Sequence, residues 1–298
     1  YMDDDIQRII EGKQLELGDR ELPPFDEYRI YKNIQEAVMR EEKRKNRRIR
    51  MPLFFKWTVA CAIVLLVIGV GYNFYQSHNE ANLVYREVCA VRGEKLLVLL
   101  PDGSRVWLNA DSKLTYPEQF AKYNRNVTLE GEAYFEIAEN KKSPFQVLAE
   151  NVKIQVTGTC FNVKAYASDK VIKTTLDEGS INIGHVQSRR PMQQMLPGQT
   201  AVYEKRSNVI KIKTDRYHDD ASSWKSNRLI FRNASLKEVL TTLSRHFDIE
   251  ITVKNEKIAS FTYDFVCKGN DLNYVLEVMQ SITPVSFKKI SEYTYTVE

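Results

Sequence analysis

LLVLLPDGSRVWLN, residues 96–109, sets two apolar runs on either side of Pro101, Asp102, Gly103 and Ser104. Asp-Gly between runs of this kind is a strong short-range cue for a β-hairpin, because the glycine supplies the positive φ the turn needs. The same pattern continues downstream. NVTLEGEAYFEI (126–137), PFQVLAENVKIQVTGTCFNVKAY (144–166), KTTLDEGSINIG (173–184) and LPGQTAVY (196–203) each alternate apolar with polar and are punctuated by Gly, Pro or Asn. No helical period interrupts them. Residues 84–215 therefore read as an all-β sandwich or rolled sheet of about ten strands.

Beyond Trp224 the pattern becomes mixed. Leu229, Ile230 and Phe231 form a short strand, and Ser235 with Glu238 has the spacing of a capping box. Leu236, Val239, Leu240, Leu243 and Phe247 then make one helical face, followed by EITV (250–253) as a strand. The order repeats: Phe261–Val266, Asp271 as a cap, then Leu272, Val275, Leu276, Met279 and Ile282, then VSFKKI and TYTV. LKEVLTTL (236–243) aligns with LNYVLEVM (272–279) at a spacing of 36 residues. Two strand–helix–strand halves predict a small α+β domain of βαββαβ order over 224–298, whose open strand edges suit partner binding by strand addition.

Upstream of the β region, charge is unevenly placed. Residues 1–39 hold 10 acidic and 5 basic residues, whereas 40–50 hold 7 basic ones, including Lys43, Arg44, Lys45, Arg47, Arg48 and Arg50. Trp57 to Asn79 then carries no Asp, Glu, Lys or Arg. A bilayer core of ~30 Å needs roughly 20 helical residues, so 53–74 is long enough to span as one transmembrane helix, with Trp57 and Tyr72 suited to the two interfaces. Lysine and arginine concentrate on cytoplasmic flanks, so residues 1–50 are expected inside and the region from 84 onward outside. A cleaved signal peptide does not fit, since about 50 residues precede the apolar run.

A head of about 50 residues is too small to bury an enzyme core. Ile6, Ile9 and Ile10 fall on one helical stripe, and Ile30, Ile34 and Val38 recur every four residues on a second. Two short amphipathic helices cannot satisfy each other's apolar faces, so a partner protein is expected to complete them.

Chemistry-bearing patterns are missing. His78, His185, His218 and His246 are scattered, with no H-E-x-x-H spacing and no adjacent Cys pair, so no metal is expected. There is no phosphate-binding glycine loop, no dinucleotide fingerprint and no nucleophile elbow, so neither a cofactor nor an enzymatic function is expected. Glu130, Glu132 and Glu136 lie close together and read as a solvated face. Cys89, Cys160 and Cys267 outside the membrane leave at least one thiol unpaired; a Cys89–Cys160 bridge and burial as small apolar residues are both open. A second reading makes the β region a tethered module for a periplasmic glycan or cell-wall polymer, with Trp107, Tyr116, Tyr134 and Tyr166 as a platform.

LPDGSRVWLN (100–109), LTYPEQF (114–120), LEGEAYFEI (129–137), PFQV (144–147), VTGTCFNVKAY (156–166), TTLDEGSINI (174–183) and LPGQ (196–199) occur in the order and approximate spacing of one family. From about Glu94 onward the chain resembles the FecR family of transmembrane anti-sigma regulators. WKSNRLIFRNASLKEVLTTLSRHFDIEI (224–251) is similar to the opening of the C-terminal domain of many members, itself similar to the short N-terminal domain of secretins and TonB-dependent receptors. Asn227 stands where the family often has Gly, Thr157 where it has an apolar residue, and His246 where it has an aromatic. The resemblance implies an inner-membrane relay. The signalling domain of an outer-membrane TonB-dependent transducer touches the periplasmic region, and the cytoplasmic head holds or releases an extracytoplasmic-function sigma factor. Membrane proteases act on relatives, and no direct nucleic-acid contact is implied.

Overall fold

The structure is a computed structural model. It describes residues 27–45, 58, 61–72, 84–120, 124–188 and 190–298. Two units separate at Ser77/His78, and each is described by itself.

In the first unit, α1 (Glu27–Lys45) is a 19-residue helix. Its four-residue spacing lays Ile30, Ile34 and Val38 along one stripe, and these are 46%, 57% and 51% exposed. Glu36 and Arg40 form an i,i+4 ion pair at 3.7 Å on the helix surface. Residues 61–72 are helical as well. No helix among the described residues is long and apolar enough to cross a membrane; 53–57, 59–60 and 73–74 of the apolar run lie outside them.

The second unit begins with thirteen strands rather than ten, all joined in one sheet. The additional strands are short: the segment between the PDGS turn and Pro117, for instance, divides into β3 (Arg105–Leu108) and β4 (Ser112–Pro117). The hairpin of β2 (Leu96–Leu99) and β3 forms with Leu96 opposite Leu108 and Val98 opposite Val106. Gly103, at φ +83°, donates its N–H to the Leu100 carbonyl at 3.0 Å, and the Asp102 carboxylate accepts from the Ser104 N–H.

The sheet folds over on a single long strand, β5 (Arg125–Glu136). Its first half pairs in parallel with β6 (Phe145–Ala149) and antiparallel with β4. Its second half pairs with β3 and with β8 (Cys160–Ala165). The two halves thus belong to opposite layers that share one core, with Leu114, Val127, Phe145 and Ile154 meeting Val106, Phe135, Phe161 and Leu176. Phe135 and Phe161 stack at 4.9 Å.

The change of layer occurs at Gly131, where φ is +98°. A Cβ there would sit 2.7 Å from the Ser112 Cα, which is backbone and cannot swing aside. Gly131→Ala combines left-handed strain with overpacking and is expected to cost about 2–4 kcal/mol in equilibrium denaturation. A loss under 0.5 kcal/mol would show that the crossing tolerates a side chain.

The C-terminal part is a second α+β core. The expected repeat is visible in its pairing. The strands that precede the helices, β14 (Arg228–Ser235) and β16 (Thr262–Lys268), pair antiparallel. Those that follow them, β15 (Glu250–Val253) and β18 (Thr294–Val297), pair in parallel. Val239, Leu240 and Leu243 of α2 (Leu236–Phe247) and Val275, Leu276 and Met279 of α3 (Leu272–Ile282) are the buried equivalents. The order departs from βαββαβ by one strand. β17 (Phe287–Lys289) turns back through 290–293 onto β18, giving βαββαββ and two small sheets in place of one. Hydrogen bonds from the Ile290 N–H (2.9 Å) and the Ser291 N–H (3.2 Å) to the Thr294 carbonyl close that hairpin.

The caps form as their spacing predicts. Ser235 and Glu238 make the reciprocal capping box, and the Asp271 carboxylate accepts from the Asn273 N–H at 2.9 Å. Asn227, where the family often has Gly, adopts φ +53°. Asparagine is among the few side-chain-bearing residues that enter this region readily.

Candidate functional site

Along β5 the alternation of buried and exposed residues fails after Gly131: residues 131–135 are all buried. One face meets the common core. The other is covered by the connector His218–Ser226, a 3-10 segment that joins the β region to β14. Sequence periodicity sees one covered face, so this second cover was not legible.

The covered face is polar and ordered by hydrogen bonds. Glu132, expected on a solvated face, is only 7% exposed. Its carboxylate accepts from the side-chain amides of Asn109 (2.9 Å) and Asn162 (3.0 Å). Asn162 in turn accepts the Trp224 indole N–H at 3.1 Å, seating the connector's one buried side chain. Glu136 and Glu130, by contrast, are held by Arg105 and Lys113. The Lys225 ammonium lies 3.2 Å from the centre of the Tyr134 ring and 4.9 Å from that of Trp107. Burial lowers the pKa of Lys225, with nearby Glu136 and Asp177 opposing. Lys95 donates to the Trp224 carbonyl at 2.8 Å and to the Asn227 side chain. Tyr116, Tyr134 and Tyr166 are all buried, and Trp107 is half-buried beneath Lys225. The four rings do not make an open platform, because they serve as packing and as a seat for the connector.

A second fastening holds α2 to the same region. The Arg245 side chain is 7% exposed. It donates to Asp169 at 2.9 Å and to the Ser168 hydroxyl at 2.7 Å, and its guanidinium carbon lies 3.5 Å from the centre of the Tyr166 ring. Tyr166 donates to the Ala110 carbonyl, and burial raises its pKa. The Gly93 N–H donates to the Arg245 carbonyl at 2.8 Å. His246 bonds the Gly269 carbonyl at 2.6 Å, and burial lowers its pKa, which favours the neutral ring. Its ring lies edge-on to Phe247, so the imidazole takes an aromatic's packing role while tying α2 to the turn at Gly269.

The residues expected to meet a partner sit elsewhere. Ile30, Ile34 and Val38 share the exposed stripe of α1. Ile6, Ile9 and Ile10 lie outside the described residues, as do Arg47, Arg48, Arg50 and Trp57. Lys43 is exposed in the last turn of α1, Arg44 and Lys45 are the helix's last two residues, and Tyr72 is 66% exposed. The four cysteines are free: Cys89 is exposed, Cys160 intermediate and Cys267 buried. Cys267 belongs to the C-terminal core, in line with the reading of thiols as small apolar residues.

Comparison with known proteins agrees with this architecture. The family described as FecR protein matches residues 87–182, and FecR, C-terminal matches 228–297. Two crystal structures of a candidate anti-sigma factor from Parabacteroides distasonis ATCC 8503, at 2.50 and 1.65 Å resolution, are similar to this chain. Each has a TM-score of 0.66 and 26% identity, and the likeness covers 72% of this chain and 98% of the other. No curated protein matches. The two matches fall in family order on either side of the connector. The chain belongs to the FecR family.

Proposed function

We propose that this chain is a membrane-tethered anti-sigma factor that passes a periplasmic signal to an extracytoplasmic-function sigma factor in the cytoplasm. The observation that carries the reading is α1: a regular helix whose apolar stripe stays open to solvent. Exposed side chains at i, i+4 and i+8 are the arrangement by which an amphipathic helix enters a partner's groove. The likeness to the Parabacteroides distasonis anti-sigma structures supports a sigma factor as that partner.

In this reading Leu53–Phe74 crosses the inner membrane once, with the basic flank inside. The C-terminal domain receives the signal from the signalling domain of an outer-membrane TonB-dependent transducer. The Arg245 and Trp224 fastenings would transmit a change in the C-terminal domain to the β region. Proteolysis near the membrane would complete release. Support for these finer steps comes from the charge pattern and the family resemblance.

Ile34→Asp tests the carrying observation. A charge at the centre of the stripe must be desolvated on docking, so affinity for the co-purifying sigma factor is expected to fall at least tenfold, measured with the full chain in detergent. Glu36→Gln, away from the stripe, serves as the folded control. Unchanged affinity in Ile34→Asp would remove α1 from the interface. Polymer pull-down by the full chain with no sigma partner recovered from the host would favour the tethered glycan module.

A further inference from the structure

The scattered histidines gave no metal-ligand spacing in the sequence, yet the fold brings one of them between two carboxylates. His218 opens the connector, Asp219 follows it, and Asp177 closes β9 (Val171–Glu178). The ligand atoms of Asp177, His218 and Asp219 all lie within 4.8 Å of one another. His218 Nδ1 is 3.7 Å from Asp177 Oδ1 and 3.2 Å from Asp219 Oδ1.

Neither approach has hydrogen-bond geometry, and both Asp177 Oδ1 and His218 Nδ1 are buried atoms without a hydrogen-bond partner. Two buried polar atoms facing each other unsatisfied is costly unless something sits between them. The other Asp177 oxygen is occupied, accepting the Tyr134 hydroxyl at 3.0 Å, which fixes the carboxylate's orientation. Such a buttressed ligand is the usual form of a metal site. Bonds of ~2.0–2.2 Å around a tetrahedral zinc ion set ligand atoms about 3.3 Å apart, close to the two spacings here. Lys225, which feels the Asp177 charge, is engaged with the faces of Tyr134 and Trp107.

We infer that Asp177, His218 and Asp219 bind one divalent cation of the zinc class, with water completing the coordination, and that the ion staples the connector to β9. The inference is independent of the sigma-factor reading, since it concerns metal uptake by the connector.

Cobalt(II) is the probe, because its visible absorption reports a tetrahedral nitrogen–oxygen site. The full chain in detergent, stripped with chelator, is expected to take up one equivalent, displaceable by zinc, with a rise in melting temperature. His218→Ala should abolish the spectrum. Asp219→Asn, at a side chain 88% exposed and so harmless to folding, should weaken uptake at least tenfold. Matched metal-free melting of all three proteins separates ligand loss from misfolding. No uptake by the unaltered chain would overturn the inference. Uptake that survives His218→Ala would overturn it equally, by placing the ion elsewhere.

Discussion

Replacing Arg125 with alanine is expected to destabilise the β region by about 3–5 kcal/mol, the cost of breaking a buried charge pair by removing one partner. Arg125 is 3% exposed at the first position of β5. Its guanidinium donates to Asp102 at 2.8 Å and to the carbonyls of Ser143 (2.8 Å), Ala138 (3.1 Å) and Asn140 (3.4 Å). It also lies 5.7 Å from the centre of the Phe145 ring. One planar fork therefore holds the hairpin turn 101–104, the loop 138–143 and the start of β5 together. Alanine leaves Asp102, which is 13% exposed, without its cation and three carbonyls without a donor. Arg125→Lys keeps the charge but lacks the fork, so it should recover only part of the loss. Urea denaturation of the full chain in detergent measures both. A loss below 1 kcal/mol for the alanine variant would mean that water replaces the guanidinium freely.

The second large effect belongs to Arg245. Its removal should cost roughly 3 kcal/mol by the same argument, but with a different signature. Arg245 lies in α2 of the C-terminal core, whereas Asp169, Ser168 and Tyr166 belong to the β region. Arg245→Met retains most of the apolar stem and loses the ionic fastening. The single calorimetric transition expected of the second unit, His78–Glu298, should then split in two, the C-terminal part melting first. A double-mutant cycle with Asp169→Asn should give a coupling of about 1–3 kcal/mol. One unchanged transition, with no coupling, would show that the two parts are held by other contacts.

Much of this architecture is legible from residue order. The Asp102-Gly103 turn, the alternating strands, the Ser235–Glu238 box and the 36-residue repeat each rest on local chemistry, and each is found where its spacing places it. What escapes the sequence is non-local. Glu132 looks solvated because alternation after Gly131 says nothing about a connector more than eighty residues later covering the outer face. Arg125 and Arg245 are buried because acceptors from distant loops converge on them, and long charged side chains are ordinarily read as surface. The Asp177–His218 approach has no motif, since its members are 41 residues apart. VSFKKI and TYTV are legible as two segments, but their pairing as an antiparallel hairpin is not, for another reason. A short apolar–polar run can continue straight or fold back, and only the turn at 290–293 decides.

The shared strand β5 also bears on how the protein resists partial opening. Sandwiches made of separate sheets can lose one sheet's edge while the other persists. Here every route to separating the layers passes through the same twelve residues, 125–136. Their amides are expected to exchange with deuterium only through global unfolding and so to be among the most protected in the chain. A protease that needs an unfolded segment would find no partly open state in this region to attack. Cleavage would fall instead on chain outside the sheet, and the β region would leave the event intact, still carrying its C-terminal partner.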